Sequence, residues 1–120
     1  MAQLIELPTF GDDRGHLSVI ENVLPFKIKR FYYIYDVTCK RGGHRHKKNK
    51  QALICVGGSC EIYVHNGKDE TTFVLDKPHQ CLLLDPEDWH TMDAFSSGAI
   101  LLVFASEHYD VDDYIDEAYE

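Results

Sequence analysis

The feature that most constrains this chain is its succession of short β-prone segments, each closed by turn chemistry. Gln3–Leu7, His16–Glu21, Lys27–Asp36, Gln51–Val56, Cys60–His65, Thr71–Leu75, Gln80–Leu84 and Ala99–Ala105 are rich in the branched and aromatic residues that fit a pleated surface. Gly11-Asp12-Asp13-Arg14-Gly15, Gly57-Gly58, Asn66-Gly67, Lys77-Pro78, Asp85-Pro86 and Ser96-Ser97-Gly98 separate them. Asn66-Gly67 between two such runs predicts a hairpin, because both residues tolerate positive φ. Regular short strands with this spacing predict an all-β sandwich or barrel. Only the C-terminus reads differently: Asp110 is placed to cap a short helix carrying Tyr114, Ile115 and Ala118 on one side. With 120 residues and no repeat or linker, the expectation is one domain, residues 1–120.

Charge is distributed unevenly. The net charge is −8, yet seven acids and no Lys or Arg lie from Glu107 onward, leaving 13 acids against 12 bases in the body. Within that body Lys40–Lys50, KRGGHRHKKNK, holds six bases and no acid. Such a segment is either a solvated loop or a wall for phosphate oxygens. Nucleic acid is disfavoured, since the patch is single, short and not interleaved with aromatics. No apolar run approaches a membrane span and the first residues lack a secretory pattern. The four cysteines form no CxxC pair, and three sit in apolar runs as expected of reduced core thiols.

The histidines carry the chemistry. In an extended stretch, His44 and His46 project from one face. His90 follows the Pro86-Glu87-Asp88-Trp89 turn. An HxH pair with a distant histidine after a proline turn is similar to the layout of a cupin (jelly-roll) barrel, where the three meet inside. Metal-binding cupins supply a glutamate a few residues beyond HxH, but here the segment is Lys47-Lys48-Asn49-Lys50-Gln51. An amide is a poor ligand for a divalent ion and three lysines oppose a cation, so the expectation is a site with no metal and no cofactor. On the strand 27–36, Arg30 and Tyr32 share one face and Phe31, Tyr33 and Tyr35 the other. The pair Arg30 and Tyr32 is preferred for the interior, because a charge in an apolar strand is costly outside a site.

Several blocks carry a resemblance to a family. They are Asp13-Arg14-Gly15, the run from Pro25 to Ile34, Arg41-Gly42-Gly43-His44-Arg45-His46-Lys47-Lys48, Gly58-Ser59-Cys60, Trp89-His90-x-Met92, Phe95-Ser96-Ser97, Ala105-Ser106-x-x-Tyr109-Asp110 and Asp113-Tyr114-Ile115. Over nearly its whole length the chain resembles the nucleotide-sugar 3,4-ketoisomerases, which act on dTDP-4-keto-6-deoxyglucose. The resemblance implies a small metal-free cupin barrel, cytoplasmic, forming a homodimer by exchange of N-terminal strands. It also implies a dTDP-linked keto sugar in the barrel mouth and a 3-keto product, with the galacto form favoured by Arg14 and His90.

Moving a ketone from C4 to C3 needs the C3 proton removed, an enediol formed and C4 reprotonated. Histidine suits this, since it titrates near neutrality. His46 is the first candidate for the carbon-centred transfer, and His44 for the oxygen-centred one or for orienting His46. His90 is expected to protonate or position C4 from the other face. Tyr32 and Arg41 are candidates to stabilise enolate charge, with Arg41, Lys47 and neighbouring bases on the diphosphate. Arg14, Arg30, Gln51 and Trp89 complete the expected substrate contacts. Two other readings stand beside this one. A nucleotide-sugar 3,5-epimerase would pair its base histidine with an aspartate, which no residue clearly supplies in the sequence. A non-catalytic sugar- or metal-binding cupin would bind without turnover.

Overall fold

The computed structural model describes all 120 residues. The strands are β1 (Gln3–Glu6), β2 (Thr9–Asp12), β3 (Gly15–Ser18), β4 (Arg30–Ile34), β5 (Arg41–His46), β6 (Gln51–Gly57), β7 (Cys60–His65), β8 (Glu70–Leu75), β9 (Gln80–Leu84), β10 (Trp89–Asp93), β11 (Ile100–Ala105) and β12 (Tyr114–Ile115). Two antiparallel five-stranded sheets face each other, in the orders β1-β9-β6-β11-β4 and β12-β5-β10-β7-β8. A separate hairpin, β2–β3, pairs with neither sheet. The expected barrel is therefore seen. No helix is long and apolar enough to cross a membrane.

Alternation along each strand builds the core. Leu53, Cys55, Ile62, Val64, Leu82, Leu84, Leu101 and Val103 are buried between the sheets. The alternate residues Ala52, Ile54 and Cys81 lie on the other face of the first sheet, under Leu7 with Ile20, Val23, Leu24 and Phe26 packed against them. Strand β6 is thus covered on both faces, which is why it reads as an unbroken apolar run. Asn66-Gly67 does open the β7–β8 hairpin, with the Asn66 side chain accepting from the amides of Lys68 and Asp69.

The C-terminal segment departs from expectation. Asp110 caps as predicted, accepting from the Asp112 amide at 3.0 Å, but the helix is a single 3₁₀ turn, Val111–Asp113. Tyr114 and Ile115 instead pair with His46 and Arg45 as β12. Tertiary pairing with β5 competes for the backbone that a helix would have used, and a helix of about two turns rich in acidic residues has little intrinsic stability to resist it.

Candidate active site

Strand β5 is the centre of the site. Its alternation aims His44 and His46 to one side, and its partner β10 sets His90 opposite His44. Gly42 permits the close approach: a Cβ there would lie 2.9 Å from the His90 carbonyl, and its φ is +85°. The ring centroids of His44 stand 5.1 Å from those of both His46 and His90, and His46 and His90 are 6.4 Å apart.

Two of the three imidazoles are fixed. His46 is buried, with Nδ1 3.0 Å from Asp113 Oδ2. That carboxylate also accepts from the amides of Lys48 at 2.8 Å and Asn49 at 3.3 Å. A carboxylate engaged in this way accepts, so Nδ1 carries the proton and Nε2 presents a lone pair. Nε2 of His46 has no protein partner. His90 is 1% exposed, and its Nδ1 donates to the Asp88 carbonyl at 3.0 Å. A carbonyl can only accept, so Nε2 of His90 is also an acceptor, again without a protein partner. The His44 side chain makes no hydrogen bond to the protein and lies half-buried at the mouth.

Burial keeps all three neutral. Desolvation lowers His44 to about 4, with the neighbouring His46 adding to the shift. Desolvation also takes His90 to about 4, against the Asp88 hydrogen bond, which favours the charged form. His46 is lowered by burial too, opposed by the Asp113 hydrogen bond and charge. At neutral pH the site therefore offers free imidazole bases rather than imidazolium acids. His90 presents Nε2 as an acceptor, so it would have to take up a proton before it could give one to carbon.

A cavity of about 170 Å³ opens beside His44, lined by Arg30, Tyr32, Ile34, Arg41, Gly42, His44, Met92 and Tyr114; His46 and His90 lie behind His44 and do not line it. The expected orientation of β4 holds: Tyr32 packs against the core while Phe31, Tyr33 and Tyr35 are exposed. The Arg30 guanidinium lies 4.4 Å over the Tyr32 ring and 5.2 Å from that of Tyr109. Burial raises the Tyr32 hydroxyl above its ordinary value, so it stays protonated. Gln51 is buried and its amide donates to the Tyr32 oxygen at 3.4 Å, leaving the Tyr32 proton free to be donated.

Not every expected residue joins this cluster. Trp89 faces the opposite side of β10, where its indole donates to the Asp116 carbonyl at 3.2 Å and lies beside Tyr63. Period two along β10 makes this unavoidable once His90 points inward. Lys47 is exposed and contributes its amide to the Asp113 carbonyl. Arg14 sits at the tip of the β2–β3 hairpin, 87% exposed and paired with Asp12 at 2.6 Å, outside the cavity of its own chain.

Two site residues were not foreseen in their present roles. Asp113 supplies the carboxylate partner that the sequence left unassigned, so the expected lack of a histidine–aspartate pair fails and no longer separates this site from a 3,5-epimerase. Tyr114 packs its ring 4.8 Å from His44 and 4.7 Å from His46. The tail pattern from Asp110 predicts a helix across both, and nothing local in it signals the return to β5.

The whole chain, residues 1–120, matches the family model FdtA, WxcM-like, C-terminal. The chain belongs to the FdtA family. Among curated proteins it is similar to a TDP-4-oxo-6-deoxy-alpha-D-glucose-3,4-oxoisomerase of Aneurinibacillus thermoaerophilus, at 44% identity over 117 residues, covering 94% of this chain and 84% of the relative. Among solved structures it resembles the QdtA 3,4-ketoisomerase of Thermoanaerobacterium thermosaccharolyticum, seen as an asparagine-for-histidine variant in complex with TDP-4-keto-6-deoxyglucose. The TM-score is 0.92 at 41% identity, covering 97% of this FdtA-family chain and 87% of that one. The WlaRB TDP-quinovose 3,4-ketoisomerase of Campylobacter jejuni gives a TM-score of 0.91 at 40% identity, with coverages of 97% and 92%.

Proposed function

We infer that this FdtA-family protein is a sugar 3,4-ketoisomerase acting on TDP-4-keto-6-deoxyglucose. The choice of 3,4-isomerisation over 3,5-epimerisation rests on the family and its relatives, because the pairing of His46 with Asp113 is one an epimerase would share; that pairing is the observation that supplies the base. Nε2 of His46 takes the proton from C3, and the electron pair passes through the C3–C4 bond to O4. Tyr32 donates to that oxyanion, and Arg41 opposes its charge. His44 carries the O3 proton to O4, and His46 returns its proton to C4, which leaves the ketone at C3. One C–H and one O–H are lost at C3, and the same two are gained at C4.

The reaction is tested by incubating the protein with TDP-4-keto-6-deoxyglucose in D2O and following the sugar ring by NMR. Migration of the carbonyl from C4 to C3 with deuterium entering the ring is the expected result. A ketone that stays at C4 while deuterium enters C3 and C5 would mean 3,5-epimerisation, and an unchanged spectrum a binding protein. The H4 coupling reads the product configuration. The galacto form is the expected one, resting on Arg14 and His90.

A homodimer is part of the same reading. The β2–β3 hairpin is exposed along both strands, leaving Phe10 and Leu17 at 65% and 60% exposure, and the row Phe31, Tyr33, Tyr35 is also in water. A second copy would cover these surfaces and offer Arg14 a mouth other than its own. Sedimentation should give a mass twice 13.8 kDa. F10D/L17D should yield monomers with little turnover, and an active monomeric wild type would overturn this.

A further inference from the structure

The tail beyond Asp113 is held down at its far end by one aromatic ring. Tyr119 donates its hydroxyl to the Glu87 carbonyl at 2.8 Å. The Arg45 guanidinium lies 4.6 Å over its ring, and the His65 ring stacks on it at 5.5 Å. A Cβ on Gly67, whose φ is +97°, would press within 3.3 Å of the same ring. Glu87 belongs to the turn between β9 and β10, and the next carbonyl of that turn, Asp88 O, fixes the tautomer of His90. Arg45 stands on β5 between His44 and His46. One side chain therefore clamps the strap carrying Asp113 and Tyr114 to both elements that carry the histidines.

The structure assigns Tyr119 as a positioning residue for the isomerisation, acting through Asp113 on His46 rather than touching the sugar. The inference rests on His46 being the base. A strap free at its end frays, because β12 is only two residues long and its last anchors are single hydrogen bonds. Fraying would loosen the Asp113 carboxylate, which raises the proton affinity of His46 in the intact site. The titratable groups facing His46 are Asp113 and Tyr114 from the tail, His44 from its own strand and His90 from β10. Only the first two ride on the strap.

The test compares Tyr119→Ala, Tyr119→Phe and Asp113→Asn in the full chain, with kcat, KM and the pH profile of kcat measured on TDP-4-keto-6-deoxyglucose. Tyr119→Ala should lower kcat by roughly tenfold with KM within about twofold, and should move the acid limb to lower pH, as Asp113→Asn does. Tyr119→Phe keeps both ring contacts and should show a smaller shift in the same direction. Wild-type kcat and acid limb in Tyr119→Ala, alongside a large loss in Asp113→Asn, would overturn the assignment while sparing the His46 reading. A harmless Asp113→Asn would instead remove the dyad on which the assignment stands. Should Tyr119→Ala fail to fold, Tyr119→Phe decides alone, and an unmoved acid limb counts against the inference.

Discussion

Replacing His46 with asparagine is expected to cut kcat about a thousandfold, near 4 kcal/mol of barrier, with KM for the TDP-4-keto sugar within about threefold. Asparagine keeps a donor for Asp113, so the carboxylate is not left with an unmatched partner in the buried site. What vanishes is the lone pair on Nε2. In the proposed reaction that lone pair acts on a carbon-bound proton, so its loss should fall on the transition state and spare ground-state binding. Steady-state kinetics, with exchange of the ring proton into D2O as a second readout, separate this from a binding defect. A variant that still exchanges at the wild-type rate would rule out His46 as the base and move that role to His44.

His44→Asn tests the division of labour between the two. His44 has no carboxylate partner and is held near 4, a poorer base than an imidazole backed by Asp113. The second variant should therefore lose less turnover than the first. Equal losses would mean that both rings handle the carbon-bound proton, as neighbouring histidines within one hydrogen-bonding site can.

What the sequence disclosed follows from the range over which its signals act. Period two along 30–35 and 44–46 is local, so the facing of Tyr32 and of the HxH pair could be read directly. The same alternation sets the adjacent Trp89 and His90 on opposite faces of one strand, which is why the expectation of both in one site fails at Trp89. The tail shows the limit. Asp110 through Ala118 carries a valid helical start, and the cap itself forms. The competing structure is a pairing with β5, sixty-eight residues earlier for Tyr114 and His46, which no window along the chain can contain. Asp113 was thus legible as an acid and not as a partner for histidine. Arg14 is illegible for a different reason, since the hairpin that bears it meets no other strand of its own chain.

Stability should fall by about 3 kcal/mol between pH 7 and pH 4 on account of His90 alone. In the unfolded chain its imidazole titrates near the ordinary 6.5, whereas in the fold it resists the proton down to about 4. Between those values the unfolded state binds more protons than the folded state, so stability rises with pH across that window. It is fully present above 6.5 and lost as pH falls toward the folded value. His44 acts in the same direction but is partly solvated and contributes less. Asp88 opposes both, because burial raises its carboxyl and favours the protonated fold. The His90 share is isolated by comparing urea unfolding of wild type and His90→Gln at pH 7 and pH 4, at one fixed protein concentration. The wild type should lose about 3 kcal/mol more than the variant over that interval. Parallel losses in the two proteins would mean that water reaches the ring in solution. An imidazole so hydrated would no longer be a fixed neutral acceptor.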